Sequence, residues 1–119
     1  MKWVVTKSSN HFYFQLTGAS GEILLNGELY TRQALAEEAV AVGKANANFD
    51  ERYDRRGAPD GRSYFVLTAA SGEVIGTSEM YASAGAMENG IATMKRNAPG
   101  AEVEEDPQLI RWPRPSRPR

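Results

Sequence analysis

Glutamate and tyrosine recur as a pair in this 119-residue chain, at Glu28-x-Tyr30 and again at Glu79-x-Tyr81. Two carboxylates held about 5–10 Å apart are the arrangement that glycoside hydrolysis uses for acid–base work. The pair occupies the same place in two similar segments, and a repeated residue is first of all a repeated structural device. We therefore predict that the tyrosines pack under helices and that the glutamates lie near helix N-termini, where the helix dipole favours an anion.

No other residue set points to catalysis or to a bound metal. His11 is the only histidine and cysteine is absent, so neither a metal site nor a nucleophile–base pair has the residues it needs. Ser20 and Ser71 stand in turn sequences, and the glycines lack the spacing of a phosphate-binding loop. We expect no catalytic residue, no metal, no cofactor and no enzymatic activity. Acid–base chemistry near Glu28 and Glu79 is the enzymatic alternative.

The chain contains the same module twice. Tyr13–Glu22 aligns with Tyr64–Glu73, and the register, offset by 51 residues, continues without a gap to Lys44–Ala47 over Lys95–Ala98. Within each copy, apolar residues alternate with other residues as in a strand, Ser-Gly breaks the alternation, and the strand pattern resumes. A tight two-residue hairpin turn is expected at the Ser-Gly pair, because glycine adopts positive φ at little steric cost.

After the hairpin, the period of the apolar and small residues becomes helical in both copies. Ser83 is the expected N-cap of the second helix, and Thr31 is the candidate cap of the first. Ala39 and Gly90 occupy one repeat position inside the two helices, although glycine there costs about 1 kcal/mol relative to alanine. Two small residues at one position indicate a close approach. We interpret it as packing of the helix on the sheet, with a backbone-lined ligand site as the alternative.

Length and charge suggest one folded body with a tail. We expect a single domain over residues 1–106, made of repeat one (about 2–53) and repeat two (about 52–106), and a flexible Pro/Arg-rich tail over 107–119. The tail carries four arginines and no acid, so residues 1–106 have a net charge of −5 when the tail's +4 is taken from the total of −1. The acidic body weakens a role in nucleic-acid binding.

Hydropathy and composition bear on location. No apolar run approaches the 18 or so residues that span a bilayer, and Met-Lys-Trp-Val-Val reaches polar Thr6 too soon for a signal peptide. The absence of cysteine fits a reducing compartment. We expect a cytoplasmic protein that does not enter the membrane.

The repeated motifs resemble those of the YegP-like family, small and mostly bacterial proteins whose domain of unknown function often occurs in tandem. The resemblance rests on the Phe-Tyr-Phe-x-Leu hairpin, on Glu-x-Tyr, and on Asn89-Gly90-Ile91 followed by Lys95–Ala98. It covers roughly residues 2–106 and is closer in copy two, since copy one has Glu38-Ala39-Val40 where the family favours Asn-Gly-Ile. It implies an α+β fold: two tandem β(3)-α-β repeats merge into one antiparallel sheet with both helices on one face and the C-terminal strands exchanged. It carries no established activity.

The hypothesis we favour is a small non-enzymatic binding or interaction module. If the helices cover one sheet face, the opposite face displays aromatic and polar side chains, and the Asn-Gly pair distinguishes copy two from copy one. The candidate surface consists of Tyr13, Gln15, Tyr64, Val66, Asn89 and Gly90. A protein is the expected kind of partner. The alternative is nucleic-acid binding, with the tyrosines stacking on bases and the tail supplying charge. We expect a monomer, because the second repeat supplies the partner that one short repeat would need.

Overall fold

A computed structural model of the protein describes residues 1–106; the proline- and arginine-rich segment 107–119, expected to be a tail, lies outside the described residues. The elements are β1 (Lys2–Ser8), β2 (His11–Thr17), β3 (Ile23–Gly27), α1 (Gln33–Asn46), β4 (Tyr53–Gly57), β5 (Ser63–Thr68), β6 (Val74–Thr77), α2 (Ala84–Asn97) and β7 (Glu102–Glu105). Single 3₁₀ turns, Asp50–Arg52 and Ala98–Gly100, precede β4 and β7.

All seven strands form one sheet in the order β4-β5-β6-β3-β2-β1-β7, and the α+β class is confirmed. Five neighbouring pairs are antiparallel, as expected, whereas β7 joins β1 in parallel, so the sheet is mixed. The parallel pair follows from the crossover, because α2 carries the chain over the sheet before β7 begins. The repeats meet at β3 and β6, where Asn26 pairs with Thr77. These two residues share one repeat position, so a pseudo-two-fold axis passes between them.

The helices tie the two repeats together at their C-terminal ends. α2 belongs to repeat two, yet the indole Nε1 of Trp3 in β1 donates to the carbonyl of Ala98 at its end, 3.0 Å away. In the same way the hydroxyl of Tyr53 in β4 donates to the carbonyl of Ala47 after α1, 2.5 Å away. Each strand that opens a repeat thus holds the end of the other repeat's helix. The exchange is unequal, because the chain after α1 makes a 3₁₀ turn and becomes β4, with no strand equivalent to β7 between them.

Local sequence explains the helix start and the hairpins. Ser83 caps α2 as expected, its hydroxyl accepting from the backbone N–H of Ala86 at 3.1 Å. The expectation for Thr31 is wrong: Arg32 is the N-cap of α1 and makes no side-chain cap bond. The hairpin loops are also longer than two residues. They are closed by hydrogen bonds from Gly18 N–H to Glu22 C=O and, at the equivalent place, from Ala69 to Glu73, with positive φ at the glycine of each Ser-Gly pair.

One hydrophobic core lies between the sheet and the two helices. Its largest fully buried side chains come from both repeats: Trp3, Phe14, Phe65, Leu16, Leu25, Leu67, Ile91 and Met94. Gly43 of α1 makes room for the indole, since a Cβ there would lie 2.8 Å from Trp3 Cη2. Met94 stands at the equivalent position of α2 and is fully buried in the core.

The outer edge of β4 has no neighbouring strand among residues 1–106, and side chains close it instead. The Tyr53 carbonyl accepts from the Arg55 guanidinium at 3.5 Å, and the Tyr53 N–H bonds to the Asp50 carbonyl. Arg55 is anchored by two bonds to Glu88 of α2, at 2.6 and 3.0 Å, and by Asp50 at 2.7 Å. Charged residues on an edge strand discourage addition of a further strand.

No helix in this part of the chain is long and apolar enough to cross a membrane.

Candidate binding groove

The repeated tyrosine at the strand–helix junction packs under a helix, as the sequence predicted. Tyr81 exchanges both backbone hydrogen bonds with Ser63, and its ring stacks on Phe65 with centroids 6.3 Å apart. A Cβ added to Gly90 would overlap the Tyr81 hydroxyl and lie 2.8 Å from Cζ. The close approach at this helix position is therefore made by the junction tyrosine, which corrects our interpretation that the sheet required it. Burial, and to a lesser degree Glu79, raise the pKa of Tyr81.

A groove of about 840 Å³ opens beside this tyrosine, between α2 and the β2–β3 hairpin of the other repeat. Asn89, Gly90, Thr93 and Asn97 form its helical wall, and the spacing of one and two turns places them on one side of α2. Because α2 rises 1.5 Å per residue, the wall from Asn89 to Asn97 is about 12 Å long. The remaining lining residues are Met1, Gly18, Ala19, Glu22, Leu24, Tyr81, Gly100, Ala101 and Glu102.

The pseudo-symmetric position holds a much smaller groove. It lies between α1 and the β5–β6 hairpin, has a volume of about 130 Å³, and contains Tyr30, the counterpart of Tyr81. The residues facing it from α1 are larger or less polar than those of α2: Ala39 stands where Gly90 is, and Val42 where Thr93 is. Both grooves are shared between repeats, one repeat supplying the helix and the other the hairpin. Only the α2 side is open enough for a small molecule, for which pockets of about 300–1,000 Å³ are usual.

Hydrogen-bonding groups on α2 remain available in the groove. The Asn97 side chain makes no hydrogen bond with any residue between 1 and 106, whereas its counterpart Asn46 donates to the Val42 carbonyl at 2.8 Å and accepts from Arg52 at 2.8 Å. The Asn89 side chain is exposed and makes no hydrogen bond with any residue between 1 and 106, while the Asn89 backbone carbonyl accepts from the Thr93 hydroxyl at 3.0 Å. Asn46 and Asn97 share one repeat position. Its side chain is therefore structural in repeat one and free for a ligand in repeat two.

The structure divides the candidate surface predicted from the sequence between two faces of the sheet. Asn89 and Gly90 line the groove on the helical face. Strand alternation places Tyr13, Gln15 and the tyrosine of β5 on the face without helices, since Phe14 and Leu16 point into the core. Leu24 lines the groove, and its counterpart Ile75 belongs to the core.

On the helix-free face, Gln15, Asn26, Thr77 and Val66 form one row across neighbouring strands. Val66 is only 3% exposed, so the expectation that it displays a binding surface is wrong. Its partners in the ladder are Asp54 of β4 and Thr77 of β6, and side chains directly opposite on neighbouring strands lie close enough to cover one another.

The two tyrosines of this face are not brought together. Tyr13 lies two residues before Gln15 and Tyr64 two residues before Val66, on strands that run in opposite directions, so the rings fall on opposite sides of the row. With strands about 4.8 Å apart and a rise of about 3.3 Å per residue, they are separated by about 20 Å. Between them, Gln15 donates to Asn26 at 3.0 Å and Asn26 donates to Glu79 at 2.5 Å. Successive bases cannot stack on rings so far apart, and nucleic-acid binding is not favoured.

The residues considered for catalysis do not assemble a site. Glu28 and Glu79 are both exposed, and Glu79 accepts a hydrogen bond from Asn26 across the repeat boundary. His11 is exposed at the start of β2. Within residues 1–106, no three histidine or acidic side chains come together as metal ligands. Because Glu28 and Glu79 are both exposed, they do not form the enclosed pair of carboxylates that acid–base chemistry at this place would need.

Sequence reasoning missed most of the groove. Thr93 and Asn97 follow Asn89 at intervals of four, a polar stripe beside the buried stripe Met87, Ile91 and Met94, and this spacing was a readable signal. The hairpin wall with Glu22 gave no such signal, because it belongs to the other repeat and reaches α2 only through the crossover.

The repeats found by geometry match a known sequence family. The family model described as a domain of unknown function, DUF1508, matches residues 8–54 and again residues 58–105. The chain belongs to this family. Its members include a UPF0339 protein of Bordetella pertussis, 43% identical over 106 residues, which are 89% of this chain and 96% of that protein. The UPF0339 protein YegP of Escherichia coli K12 is 40% identical over 99 residues, 83% of this chain and 90% of that protein.

Solved structures of DUF1508 relatives have the same fold. The solution NMR structure of a UPF0339 protein from Shewanella oneidensis is 35% identical with a TM-score of 0.81, covering 87% of this chain and 88% of that one. That of yegP from E. coli, described as a protein of unknown function, is 39% identical with a TM-score of 0.81, covering 87% and 90%. The resemblance to the YegP-like family is thereby confirmed. The family is uncharacterised, and none of these descriptions gives an enzymatic or nucleic-acid-binding activity.

Proposed function

We propose that this chain is a small non-enzymatic binding module whose ligand occupies the groove between α2 and the β2–β3 hairpin. One observation supports this above the others: two pseudo-equivalent grooves differ from about 840 to about 130 Å³. A duplicated fold needs the same packing in both copies, so fold requirements alone do not explain an open, polar groove in one copy and a filled one in the other.

The chemistry of the groove suits binding rather than reaction. It offers amides, a hydroxyl and a tyrosine ring face, which orient a ligand by hydrogen bonds and stacking, together with apolar contacts from Met1 and Leu24. Its residues include no histidine, cysteine or lysine, and its two carboxylates, those of Glu22 and Glu102, belong to exposed residues. Asn89 and Gly90 are the two residues of the candidate surface that we assign to this function.

The proposal is tested by a fragment screen followed by ¹H–¹⁵N chemical-shift mapping on the full chain. Binding in the groove shifts the amides of Asn89, Gly90 and Thr93 together with those of Gly18 and Glu22, which are far from them in sequence. The double variant Gly90→Ala/Thr93→Val introduces the residues of repeat one and should abolish these shifts. The matched double variant Ala39→Gly/Val42→Thr alters the small groove and should leave them unchanged. No fragment that shifts both walls, or equal binding by the first variant, would refute the proposal.

The helix-free face is a second candidate, as a contact surface for another protein. Leu29 and Met80 share one repeat position and are unusually exposed for large apolar residues, at 62% and 45%. Phe12 forms an antiparallel bridge with Tyr30, so the next residue, Tyr13, lies beside Leu29. In the same way Ser63 bridges to Tyr81, and Tyr64 lies beside Met80. If this face binds, a partner should shift the amides of these four residues, and Leu29→Ser/Met80→Ser should remove the effect while groove binding persists.

The proposal includes a monomer located in the cytoplasm. Two repeats complete one core within a single chain, and the charged edge of β4 opposes further strand pairing. Light scattering coupled to gel filtration should give the mass of one chain, and cell fractionation should recover the protein with cytoplasmic markers. A dimer mass or recovery with envelope fractions would contradict this part.

A further inference from the structure

We infer that the groove selects a ligand that carries an ammonium or guanidinium group on an apolar chain. This inference rests on the proposed function and names the chemistry of its ligand. Three features of the molecule support it: the charge of the groove walls, the position of Glu22, and the difference between the two copies.

The groove has no basic side chain. Of its thirteen lining residues, Glu22 and Glu102 are acidic, and none is lysine or arginine. Neither acid forms an ion pair with any residue between 1 and 106, in contrast to Glu104, whose carboxylate is 3.1 Å from the Lys2 ammonium. Among the side chains of the groove, a cationic ligand would therefore find carboxylates to pair with, whereas an anionic ligand would find no cation; the one cationic group of a lining residue is the α-ammonium of Met1.

The hairpin fixes the Glu22 carboxylate at the groove wall. One oxygen accepts from the backbone N–H of Ser20 at 3.0 Å, which holds the side chain across the turn. Its carboxyl carbon lies over Gly18, 2.5 Å from the place that a Cβ there would take, so glycine makes room for it. Gly18, Ala19 and Glu22 all line the groove, which places this turn opposite α2. The second carboxylate oxygen is left to accept from a ligand.

The other walls suit the rest of such a ligand. The exposed part of the Tyr81 ring can face a cation or an alkyl chain, and Met1 and Leu24 supply apolar contact. Asn89 and Asn97, about 12 Å apart along α2, can form hydrogen bonds with amide groups of a ligand that extends along the groove. A lysine side chain with its flanking peptide groups has this composition. A free polyamine shares its ammonium group and alkyl chain, and the test separates the two.

The small groove beside α1 is the matched negative site. Glu73 is the counterpart of Glu22 and lines the small groove, where its charge contributes to the raised pKa of Tyr30 after the larger effect of burial. The carboxylate is thus present twice, but only the α2 side has space for an ammonium group to reach it.

The experiment titrates N-acetyl-lysine-methylamide, spermidine and N-acetyl-norleucine-methylamide into the ¹⁵N-labelled full chain at low salt. The norleucine compound keeps the alkyl chain and peptide groups of the lysine compound and lacks its ammonium. We expect the lysine compound or spermidine to shift the groove amides with at least about tenfold higher affinity than the norleucine compound. Glu22→Gln should remove that difference, Glu73→Gln should retain it, and raising salt should weaken only the charged compounds.

The outcomes distinguish this inference from the function on which it rests. Glu22-dependent binding of the lysine compound supports a basic side chain as the source, and Glu22-dependent binding of spermidine alone supports a free amine. If the norleucine compound binds as well as the charged ones, or if Glu22→Gln changes nothing, the cation inference is overturned while groove binding stands. If neither these compounds nor any fragment shifts the groove amides, both are overturned.

Discussion

The hydroxyl of Tyr53 gives the sharpest test of how the two repeats are joined. Tyr53 is 4% exposed and donates to the carbonyl of Ala47, which is fully buried, at 2.5 Å. Tyr53→Phe removes the donor and keeps the ring, whose centroid is 5.4 Å from that of Phe65. The lost volume is small, so the main consequence is a buried carbonyl without its partner.

Leaving a buried acceptor unsatisfied costs about 1–3 kcal/mol. We expect Tyr53→Phe to lower the free energy of unfolding by that amount, which for a domain of this size is a fall in Tm of at least about 4 °C. Equilibrium urea denaturation measures the change, and an unchanged m-value would show that the folded and unfolded states expose the same surface as before.

Tyr81→Phe is the matched control. The Tyr81 hydroxyl makes no hydrogen bond with any residue between 1 and 106, although its ring also packs against Phe65, with centroids 6.3 Å apart. Its removal should change the free energy of unfolding by less than about 0.5 kcal/mol. A Tyr53→Phe protein as stable as the wild type, or an equal loss in both variants, would refute the cross-repeat hydrogen bond as the link between β4 and α1.

Two further predictions concern α1 and the edge of β4. Gly43→Ala should destabilise the protein by about 1–3 kcal/mol despite the higher helix propensity of alanine, because the added methyl would lie 2.8 Å from the buried Trp3 ring; a gain in thermal stability would contradict this packing. The Asp50 carboxyl should titrate with a pKa of about 2 instead of 3.8, because hydrogen bonds from Arg55 and Lys95 favour the carboxylate. Its contribution to stability should be complete above pH 3.8 and disappear as the pH falls through about 2. NMR titration of the carboxyl carbon in wild type and Arg55→Ala measures this; an identical midpoint in both would exclude the ion pair as the cause.

The order of strands and helices could be predicted from the repeated sequence, because the spacing of apolar residues differs between the two kinds of element. The alternation Phe12, Phe14 and Leu16 fixes a strand and its inward face, and the change of period at Leu35 fixes a helix. Applying the same pattern twice, together with the family resemblance, gives two merged repeats. Two features could not be predicted in this way: the parallel pairing of β7 with β1, and the direct connection from α1 to β4. Both depend on where in the sheet the strand after each helix is placed, and local sequence patterns do not determine that position.

The candidate site was predicted only in part for a similar reason. The sequence points to Asn89 and Gly90 because they differ from Glu38 and Ala39, and both residues line the open groove. Its other wall, including Glu22, comes from residues more than sixty positions earlier and carries the same acid in both copies. Val66 was misjudged because alternation gives the face of a strand residue but not how fully its neighbours cover it.

Intermolecular NOEs between the protein and a bound ligand test the central claim most directly. For a ligand in the groove beside α2, contacts are expected from its protons to the Tyr81 ring and the Thr93 methyl group together with Leu24 of the hairpin, which only this groove brings together. Contacts confined to Tyr13, Leu29, Tyr64 or Met80 would place the ligand on the helix-free face and contradict binding in the groove.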